Sequence, residues 1–190
     1  MPIICGVDEA GRGPLAGPVC AAAVILPEKY DLPFLNDSKA LTEKRRELLF
    51  PQIIAQALCF SVAFAGTAEI ERLNIREATK LAMLRAVEGL KVRPDELWID
   101  GNMLIDAGIP AHAFVKGDAL YPCISAASVL AKVTRDRHML ELDARYPEYG
   151  FARHKGYGTR LHARALAAHG PCPEHRALFV KTFMRRGWGE

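Results

Sequence analysis

The chain has 190 residues, half of them hydrophobic and a quarter charged, with a formal net charge of +3. This length suits one domain with a substantial core, and so small a net charge excludes a protein that coats nucleic acid through overall charge. The five cysteines are odd in number and form no CxxC pair, so we expect a reduced, cytoplasmic protein without disulfides or structural zinc. We expect no membrane association, since no apolar run spans a bilayer and the N-terminus lacks a signal-peptide pattern.

Five apolar segments predict the strands of a sheet. In chain order they are residues 3–7, 19–26, 57–65, 97–99 and 112–115. The short connection between the first two strands favours antiparallel pairing. Helical segments separate the later strands, so the sequence predicts an α/β fold in which helices flank a mixed sheet.

Helical patterns fill the intervals between these strands and the C-terminal part of the chain. The predicted helices are 43–50, 67–73, 75–90, 124–146, 161–168 and 174–183. Thr42 and Thr67 are the expected N-caps of the first two helices, and Pro51 is expected to end the first. We interpret the chain as one domain, with a core over about 1–146 and a small helical C-terminal lobe over about 147–190.

Carboxylates stand at the ends of three predicted central strands. The first of these strands ends in Asp8 and Glu9, the second in Asp100 and the third in Asp118. In open α/β sheets, ligands gather at the carboxyl ends of the strands. Each acid alone is more typical of a turn or a helix start, but four converging carboxylates would repel one another unless cations lay among them. Oxygen donors without nearby His or Cys favour Mg²⁺ or Mn²⁺, and two such ions suit phosphoryl transfer.

Other acids and motifs of the sequence compete with this set. Asp37 and Asp106 are competing acids, and Asp37 is more typical of a turn or cap. Asp136 is expected to pair with Arg135 or Arg137 on a helix surface. The sequence has no Ser-His-Asp order, no GxSxG elbow and no P-loop ending.

A glycine-rich bend follows the first two carboxylates. In this glycine loop (residues 11–13), Gly11 and Gly13 flank Arg12. Glycines let a backbone turn sharply and approach a ligand closely, and N–H groups in such a bend can donate to a polar oxygen. The Arg12 guanidinium can hold a phosphate through its planar fork. An ordinary loop has the same composition, so the bend gains meaning only beside the carboxylates.

In their order and spacing, the motifs resemble ribonuclease HII over nearly the whole chain. They are GVDEAGRGP at 6–14, NDSK at 36–39, DGN at 100–102, KGD at 116–118, SAASVLAKVTRD at 125–136 and HKGYGT at 154–159. The resemblance implies a ribonuclease-H-like fold and an endonuclease that hydrolyses the RNA strand of RNA–DNA hybrids. It also implies cleavage 5′ to single ribonucleotides in duplex DNA, by two-metal-ion catalysis that leaves a 3′-hydroxyl and a 5′-phosphate.

The resemblance also implies roles for individual residues. The metal-binding catalytic set would be Asp8, Glu9, Asp100 and Asp118. The glycine loop (Gly11, Arg12, Gly13) would sense the ribose 2′-OH, which distinguishes RNA from DNA, and Tyr157 would stack on the sugar at the DNA side of the junction. The implied phosphate contacts are Ser38, Lys39, Ser125 and Lys132.

Two places depart from the family pattern. Ala40 stands where the family frequently has a lysine, which removes one phosphate contact, and the tail at 175–179 follows the family's ending only loosely. We therefore assign the tail no site role. The expected partners are RNA–DNA hybrids and ribonucleotide-containing duplex DNA, and we expect a monomer without an obligate protein partner.

Three alternatives stay open at this point. Ribonuclease HIII shares the core, but the chain begins directly at the catalytic strand, which leaves no room for that family's extra N-terminal domain. A Holliday-junction resolvase or a DNA exonuclease would need acids on a related sheet but no 2′-OH sensor. A non-catalytic duplex-binding module would not need four converging carboxylates, which repel phosphate.

Overall fold

The computed structural model describes residues 2–33, 35 and 41–186, and its centre is a five-stranded sheet. The strands are β1 (Ile4–Ala10), β2 (Val19–Ile25), β3 (Cys59–Ala65), β4 (Glu96–Asp100) and β5 (Ala111–Phe114). They lie in the order β3-β2-β1-β4-β5. β2 is antiparallel to both β1 and β3, whereas β1, β4 and β5 run parallel. The predictions of a mixed sheet and of antiparallel pairing between the first two strands are confirmed.

Helices flank the sheet, as the sequence predicts. In chain order they are α1 (Glu43–Gln56), α2 (Thr67–Leu73), α3 (Ile75–Glu88), α4 (Pro122–Arg145), α5 (Phe151–His154), α6 (Arg160–His169) and α7 (Ala177–Arg185). Every predicted helix is present, and the short α5 is additional. Within the described ranges, no helix is both long enough and apolar enough to cross a membrane.

β2 is buried along its whole length because helices cover both faces of the sheet. One alternate set of its side chains, including Ala21 and Ala23, packs with α3, and the other set, Ala22 and Val24, packs with α1 and α4. Asp8 of β1 lies directly opposite Ala22 in the antiparallel pair. Residues opposite each other share a face of the sheet, so Asp8 points toward α4.

The start of α4 lies directly against β1. A Cβ atom added at Gly6 would lie 2.2 Å from the carbonyl carbon of Cys123. Only glycine permits such a close approach of two backbones. The contact holds α4 next to the acidic half of β1.

The C-terminal segment packs on the loop between β1 and β2. Leu15 and Ala16 of that loop share a buried cluster with Phe151 and Leu166. The backbone takes part as well, because the Leu15 N–H donates to the Gly156 carbonyl over 2.8 Å. The loop after the β1 acids is therefore held by residues far away in the sequence.

Three buried histidines brace this lobe in their neutral form. His162 Nδ1 lies 2.9 Å from the Tyr157 carbonyl, so it must donate, and His162 Nε2 must accept from His175 Nε2 at 2.9 Å. His175 Nδ1 in turn accepts from the Cys172 N–H over 2.9 Å. His154 stacks on His162 with ring centroids 4.3 Å apart. An added proton on His162 or His175 would set two N–H groups against each other.

The prediction that Pro51 ends the first helix is wrong. α1 continues through Pro51 to Gln56, because Leu49 and Ile53 on one face are buried in the core beside α4. The predicted cap is confirmed: the Arg45 N–H donates to Thr42 Oγ1 over 3.3 Å. For α2, by contrast, the N-cap is Gly66 and not Thr67, which is the first helical residue.

Replacing Pro51 by alanine should stabilise the protein. An interior proline lacks the N–H that would donate four residues back, and it costs a helix up to about 3 kcal/mol. Proline also restricts the unfolded chain, and the loss of that restriction destabilises the folded state by about 0.4–1 kcal/mol. We expect a net gain of about 1–2 kcal/mol, measured as a rise in the midpoint of thermal unfolding.

The exposed neighbour Gln52 provides the control. Gln52→Ala changes helix propensity only slightly, so its unfolding midpoint should stay close to that of the wild type. A Pro51→Ala midpoint at or below the wild-type value would contradict the argument.

Acidification should remove the stability that the neutral histidine cluster contributes. Burial lowers the pKa of His162 and of His175 to about 4, below the value of about 6.5 in an unfolded chain. At these two rings, as pH falls from about 6.5 to about 4, the unfolded state binds protons that the folded state does not, so the contribution of the cluster to the free energy of unfolding decreases. Urea unfolding at several pH values measures this slope.

Two histidine variants test the source of the slope. His162→Gln removes one buried titrating ring and should flatten the dependence of unfolding free energy on pH, whatever it costs at neutral pH. His112→Gln makes the same change at an exposed histidine outside the cluster and is the matched control. Equal slopes for wild type and His162→Gln would show that the cluster is not responsible.

Candidate active site

Parallel pairing brings the predicted carboxylates together. Val7 of β1 pairs with Ile99 of β4, so the next residues, Asp8 and Asp100, are neighbours across the two strands. Asp8 and Glu9 lie within β1 and not at its end, whereas Asp100 is the last residue of β4. Parallel strands end at the same edge of the sheet, which is why acids far apart in the sequence meet here.

Asp118 is tied to this edge by backbone hydrogen bonds. It lies in a 3₁₀ turn, Gly117–Ala119, that follows β5. The N–H groups of Gly117 and Asp118 donate to Asp100 Oδ1 over 2.7 and 3.4 Å. The Asp100 carboxylate therefore fixes the turn that carries Asp118.

The carboxylates destabilise one another's charge. Burial raises the pKa of Asp8 well above its usual value, and the charges of Glu9 and Asp100 raise it further. Burial also raises the pKa of Glu9 and of Asp118, with a further contribution from the charge of Asp100 in each case. Concentrated negative charge of this kind favours a bound cation.

Among the buried atoms that the structure describes, one carboxylate oxygen of the cluster has no hydrogen-bond partner. The Glu9 N–H donates to Asp8 Oδ1 over 2.7 Å, and the Ser128 side chain also hydrogen-bonds Asp8. Arg12 Nη1 lies 3.1 Å from Glu9 Oε1. Glu9 Oε2 is buried and has no hydrogen-bond partner among the residues that the structure describes.

The donor chemistry of this cluster fits a hard divalent cation. Its ligands would be carboxylate oxygens, which Mg²⁺ and Mn²⁺ prefer, and Glu9 Oε2 is an unused donor. Within residues 2–33, 35 and 41–186, no three His, Cys, Asp or Glu side chains are grouped so that they could hold a metal without moving. Instead, the carboxylates accept hydrogen bonds from other groups of the protein, which partly offset the repulsion between their charges. These carboxylates are Asp8, Glu9 and Asp100.

A pocket of about 420 Å³ opens beside the carboxylates. Of the predicted site residues it gathers Glu9, Gly11, Arg12, Gly13, Asp118, Ser125, Lys132 and Tyr157. Asp8 and Asp100 are not among the described residues that line it. The acids, the glycine loop and the C-terminal tyrosine thus meet at one place, although they come from distant parts of the chain.

The two glycines of the glycine loop differ in what they require. Gly11 has a φ of +97°, and an added Cβ would lie 2.0 Å from Arg135 Nε. Only glycine fits there. At Gly13 an added Cβ would meet only Tyr157 Cε1, at an ordinary 3.8 Å. Gly11 is therefore required by the fold, whereas Gly13 leaves open space in the pocket.

Tyr157 presents its ring to the pocket. The residue is 43% exposed. Lys132 Nζ and the central guanidinium carbon of Arg135 each lie 6.0 Å from the ring centroid. The exposed part of the ring is available to a flat or apolar partner such as a sugar.

The predicted phosphate contacts differ in their surroundings. Ser125 is buried, and its hydroxyl donates to the Leu35 carbonyl over 2.5 Å. Lys132 is partly exposed and pairs with Asp136 over 2.6 Å, so the prediction that Asp136 pairs with a neighbouring arginine on the helix surface is wrong. The i, i+4 spacing along α4 explains this pair. Ser38 and Lys39, together with Asp37, lie outside the described residues.

Sequence reasoning missed two polar residues that line the pocket, Ser128 and Arg46. Ser128 follows Ser125 by three positions on α4, so helical spacing could have placed both on one face. Nothing distinguishes Arg46 from the other charged residues of α1 in the sequence. Its guanidinium donates to the Leu41 carbonyl, and its Nε is buried without a partner among the described atoms.

Comparisons with known proteins identify the family. The family model for ribonuclease HII matches residues 5–188. A curated ribonuclease HII from Paracidovorax citrulli is 61% identical over 178 residues, which cover 94% of this chain and 74% of that protein.

Solved structures share the fold. Ribonuclease H2 from Pyrococcus horikoshii gives a TM-score of 0.78 at 27% identity, over 96% of this chain and 97% of that chain. Ribonuclease HII from Archaeoglobus fulgidus, solved as a complex with PCNA, gives a TM-score of 0.74 at 25% identity, over 92% and 93% of the two chains. The predicted ribonuclease-H-like fold is confirmed.

These matches decide between the alternatives that share this core. The curated relative with 61% identity is a ribonuclease HII, which favours that family over ribonuclease HIII. Nuclease chemistry also accounts for the clustered acids, which a binding module would not need. The chain belongs to the ribonuclease HII family and is a metal-dependent endoribonuclease that hydrolyses RNA in RNA–DNA hybrids.

Proposed function

We propose that this enzyme also cuts 5′ to a single ribonucleotide embedded in duplex DNA, by two-metal-ion catalysis that leaves a 3′-hydroxyl and a 5′-phosphate. One observation carries the proposal: the glycine loop lines the same pocket as Glu9 and Asp118. A loop that would recognise one ribose therefore lies beside the acids that would cleave the adjoining phosphodiester. Recognition of a single sugar does not require a longer tract of RNA.

The four carboxylates would hold the ions, Mg²⁺ or Mn²⁺. They are Asp8, Glu9, Asp100 and Asp118. When bound, two divalent ions supply activation of the attacking water and stabilisation of the leaving oxygen. The unpartnered Glu9 Oε2 and the raised pKa values of Asp8, Glu9 and Asp118 support this assignment, since burial and mutual repulsion raise these values and added positive charge would stabilise the ionised carboxylates.

The glycine loop would recognise the 2′-OH through its backbone. This hydroxyl is both a donor and an acceptor, so it suits N–H and carbonyl groups that a bulky side chain would cover. The open space at Gly13 supports this role. Arg12 pairs with Glu9 over 3.1 Å, so the orientation of the loop is coupled to a carboxylate of the cluster.

The remaining residues would place the duplex without reading its sequence. We propose that Tyr157 stacks on the sugar at the DNA side of the junction and that Lys132 contacts a phosphate. Arg46 adds a further cation, beside Arg12 and Lys132, in the same pocket. Ser125 would have to release the Leu35 carbonyl before it could donate to a phosphate. Its role, those of Ser38 and Lys39, the single-domain organisation, the monomeric state and the cytoplasmic location stay predictions.

The first experiment compares two duplexes of one sequence, one all DNA and one with a single ribonucleotide, in Mg²⁺ or Mn²⁺. We expect one cut 5′ to the ribonucleotide and none in the all-DNA duplex. Asp100→Asn should lower the rate at least about 1,000-fold, because several kcal/mol of metal-dependent stabilisation would be lost at about 1.4 kcal/mol per factor of ten.

Two features make this variant informative. The amide that replaces the Asp100 carboxylate keeps an oxygen that can accept from Gly117 and Asp118, so the fold should be retained. Asp106→Asn, at an exposed acid, should keep full activity. Cleavage of an RNA–DNA hybrid without cleavage at a single ribonucleotide would overturn the finer specificity, and near-normal activity of Asp100→Asn would overturn the assignment of the acid.

Gly13→Ala tests the sensing role of the glycine loop. The added methyl group meets only Tyr157 Cε1 at 3.8 Å, so the unfolding midpoint should not change. The methyl group occupies space that the ribose would need, and we expect kcat/KM on the single-ribonucleotide duplex to fall about tenfold or more, the equivalent of one lost hydrogen bond.

Gly66→Ala is the matched control, because nothing lies within 4 Å of the added Cβ. Gly66 caps α2, so this change should lower the unfolding midpoint slightly and leave cleavage unaffected. The pair separates activity from stability. Unchanged kcat/KM in Gly13→Ala would mean that the ribose does not occupy this space.

A further inference from the structure

A buried guanidinium lies beneath the glycine loop. Arg176 is 0% exposed, and it precedes α7 in the tail to which sequence reasoning assigned no role. Its Nη2 donates to the Gly11 carbonyl over 2.6 Å, and its Nη1 donates to the Arg12 carbonyl over 2.9 Å. Its Nε and Nη2 both donate to the Gly17 carbonyl, over 3.0 and 2.8 Å. One side chain thus holds the glycine loop and, through Gly17, the segment that leads from this loop to β2.

The backbone around Arg176 is fixed to the same loop. Its own N–H donates to the Leu15 carbonyl over 2.8 Å, and the Gly17 N–H donates to the Glu174 carbonyl over 2.8 Å. Ala16 and His175 form an antiparallel bridge between these two bonds. The guanidinium therefore starts from a rigid base, and its position relative to the loop is determined.

Peptide geometry converts these bonds into an orientation. In a planar trans peptide the carbonyl and the N–H point in opposite directions. The Gly11 carbonyl shares its peptide with the Arg12 N–H, and the Arg12 carbonyl shares its peptide with the Gly13 N–H. Because Arg176 holds both carbonyls on the buried side, both N–H groups must face away from it. All three residues of the glycine loop line the pocket.

We infer that Arg176 is a positioning residue that holds the glycine loop so that its N–H groups face the substrate. This inference rests on the proposed 2′-OH-sensing role of the loop. Arginine suits the task because its planar fork carries several donors in fixed directions, whereas the single ammonium of lysine cannot reach the three carbonyls together.

A second buried arginine holds the segment between the glycine loop and β2. Arg135, also 0% exposed, donates to the carbonyls of Pro18 and Ala16 over 3.0 and 3.1 Å. It also donates to the Lys155 carbonyl over 3.0 Å, two residues before Tyr157. Burial, followed by the charge of Arg135, lowers the pKa of Arg176 to about 9, so Arg176 stays protonated near neutral pH.

Two variants of Arg176 test the inference. Arg176→Lys keeps the charge and loses the fork, and Arg176→Gln removes the buried charge and keeps two N–H donors. For each folded variant we expect kcat/KM on the single-ribonucleotide duplex to fall about tenfold or more, through kcat. Arg76→Lys, at an exposed position of α3, is the matched control and should match the wild type.

A double-mutant cycle separates positioning from a merely structural role. If Arg176 acts through the glycine loop, combining either variant with Gly13→Ala should cost little more than the worse single change, since neighbours in one network are not additive. Additive losses, or an unchanged kcat/KM in the folded single variants, would overturn the inference. The proposed function fails separately, if the wild type does not distinguish the single-ribonucleotide duplex from all-DNA.

Discussion

The parallel register of β1 and β4 is the constraint on which the site depends. By pairing Val7 with Ile99 it forces Asp8 and Asp100 into adjacent positions, although burial and mutual repulsion raise the pKa of Asp8 well above its usual value. The free energy that holds them together comes from the apolar layers on both faces of the sheet. The fold thus keeps mutually repelling carboxylates where a cation can reduce the repulsion. Burial of the apolar core offsets the free energy that this arrangement costs.

The sequence was sufficient for the parts of the fold that follow from local patterns. The strands, most helix positions, the antiparallel first pair and the Thr42 cap all follow from apolar periodicity or from capping chemistry. The convergence of the acids also follows from sequence, because acids at or near the ends of parallel strands meet at one edge. The stop at Pro51 was wrong because burial of Leu49 and Ile53 outweighs one missing hydrogen bond, and local propensity does not include tertiary packing.

Other features of the site could not be read from local patterns. Arg176 lies 159 residues from Gly17 along the chain, and nothing in its neighbourhood shows which carbonyls it will reach. The same holds for Arg135, which a helical pattern cannot place at a loop from a different part of the fold. Asp136 is a smaller case: both of its candidate partners were adjacent arginines, but the side chain at i−4, Lys132, has the better geometry.

The long-range bonds of Arg176 also bear on how the protein is made. The strands of the sheet end at Phe114, and the ribosome must add about 60 further residues before Arg176 exists. During that interval a nascent chain can assemble the acids while the loop beside them still lacks its support from the C-terminal segment. Non-local contacts of this kind also form late in refolding, since a large loop must close first. The acids can therefore gather in a nascent chain before the part that would tell RNA from DNA is complete.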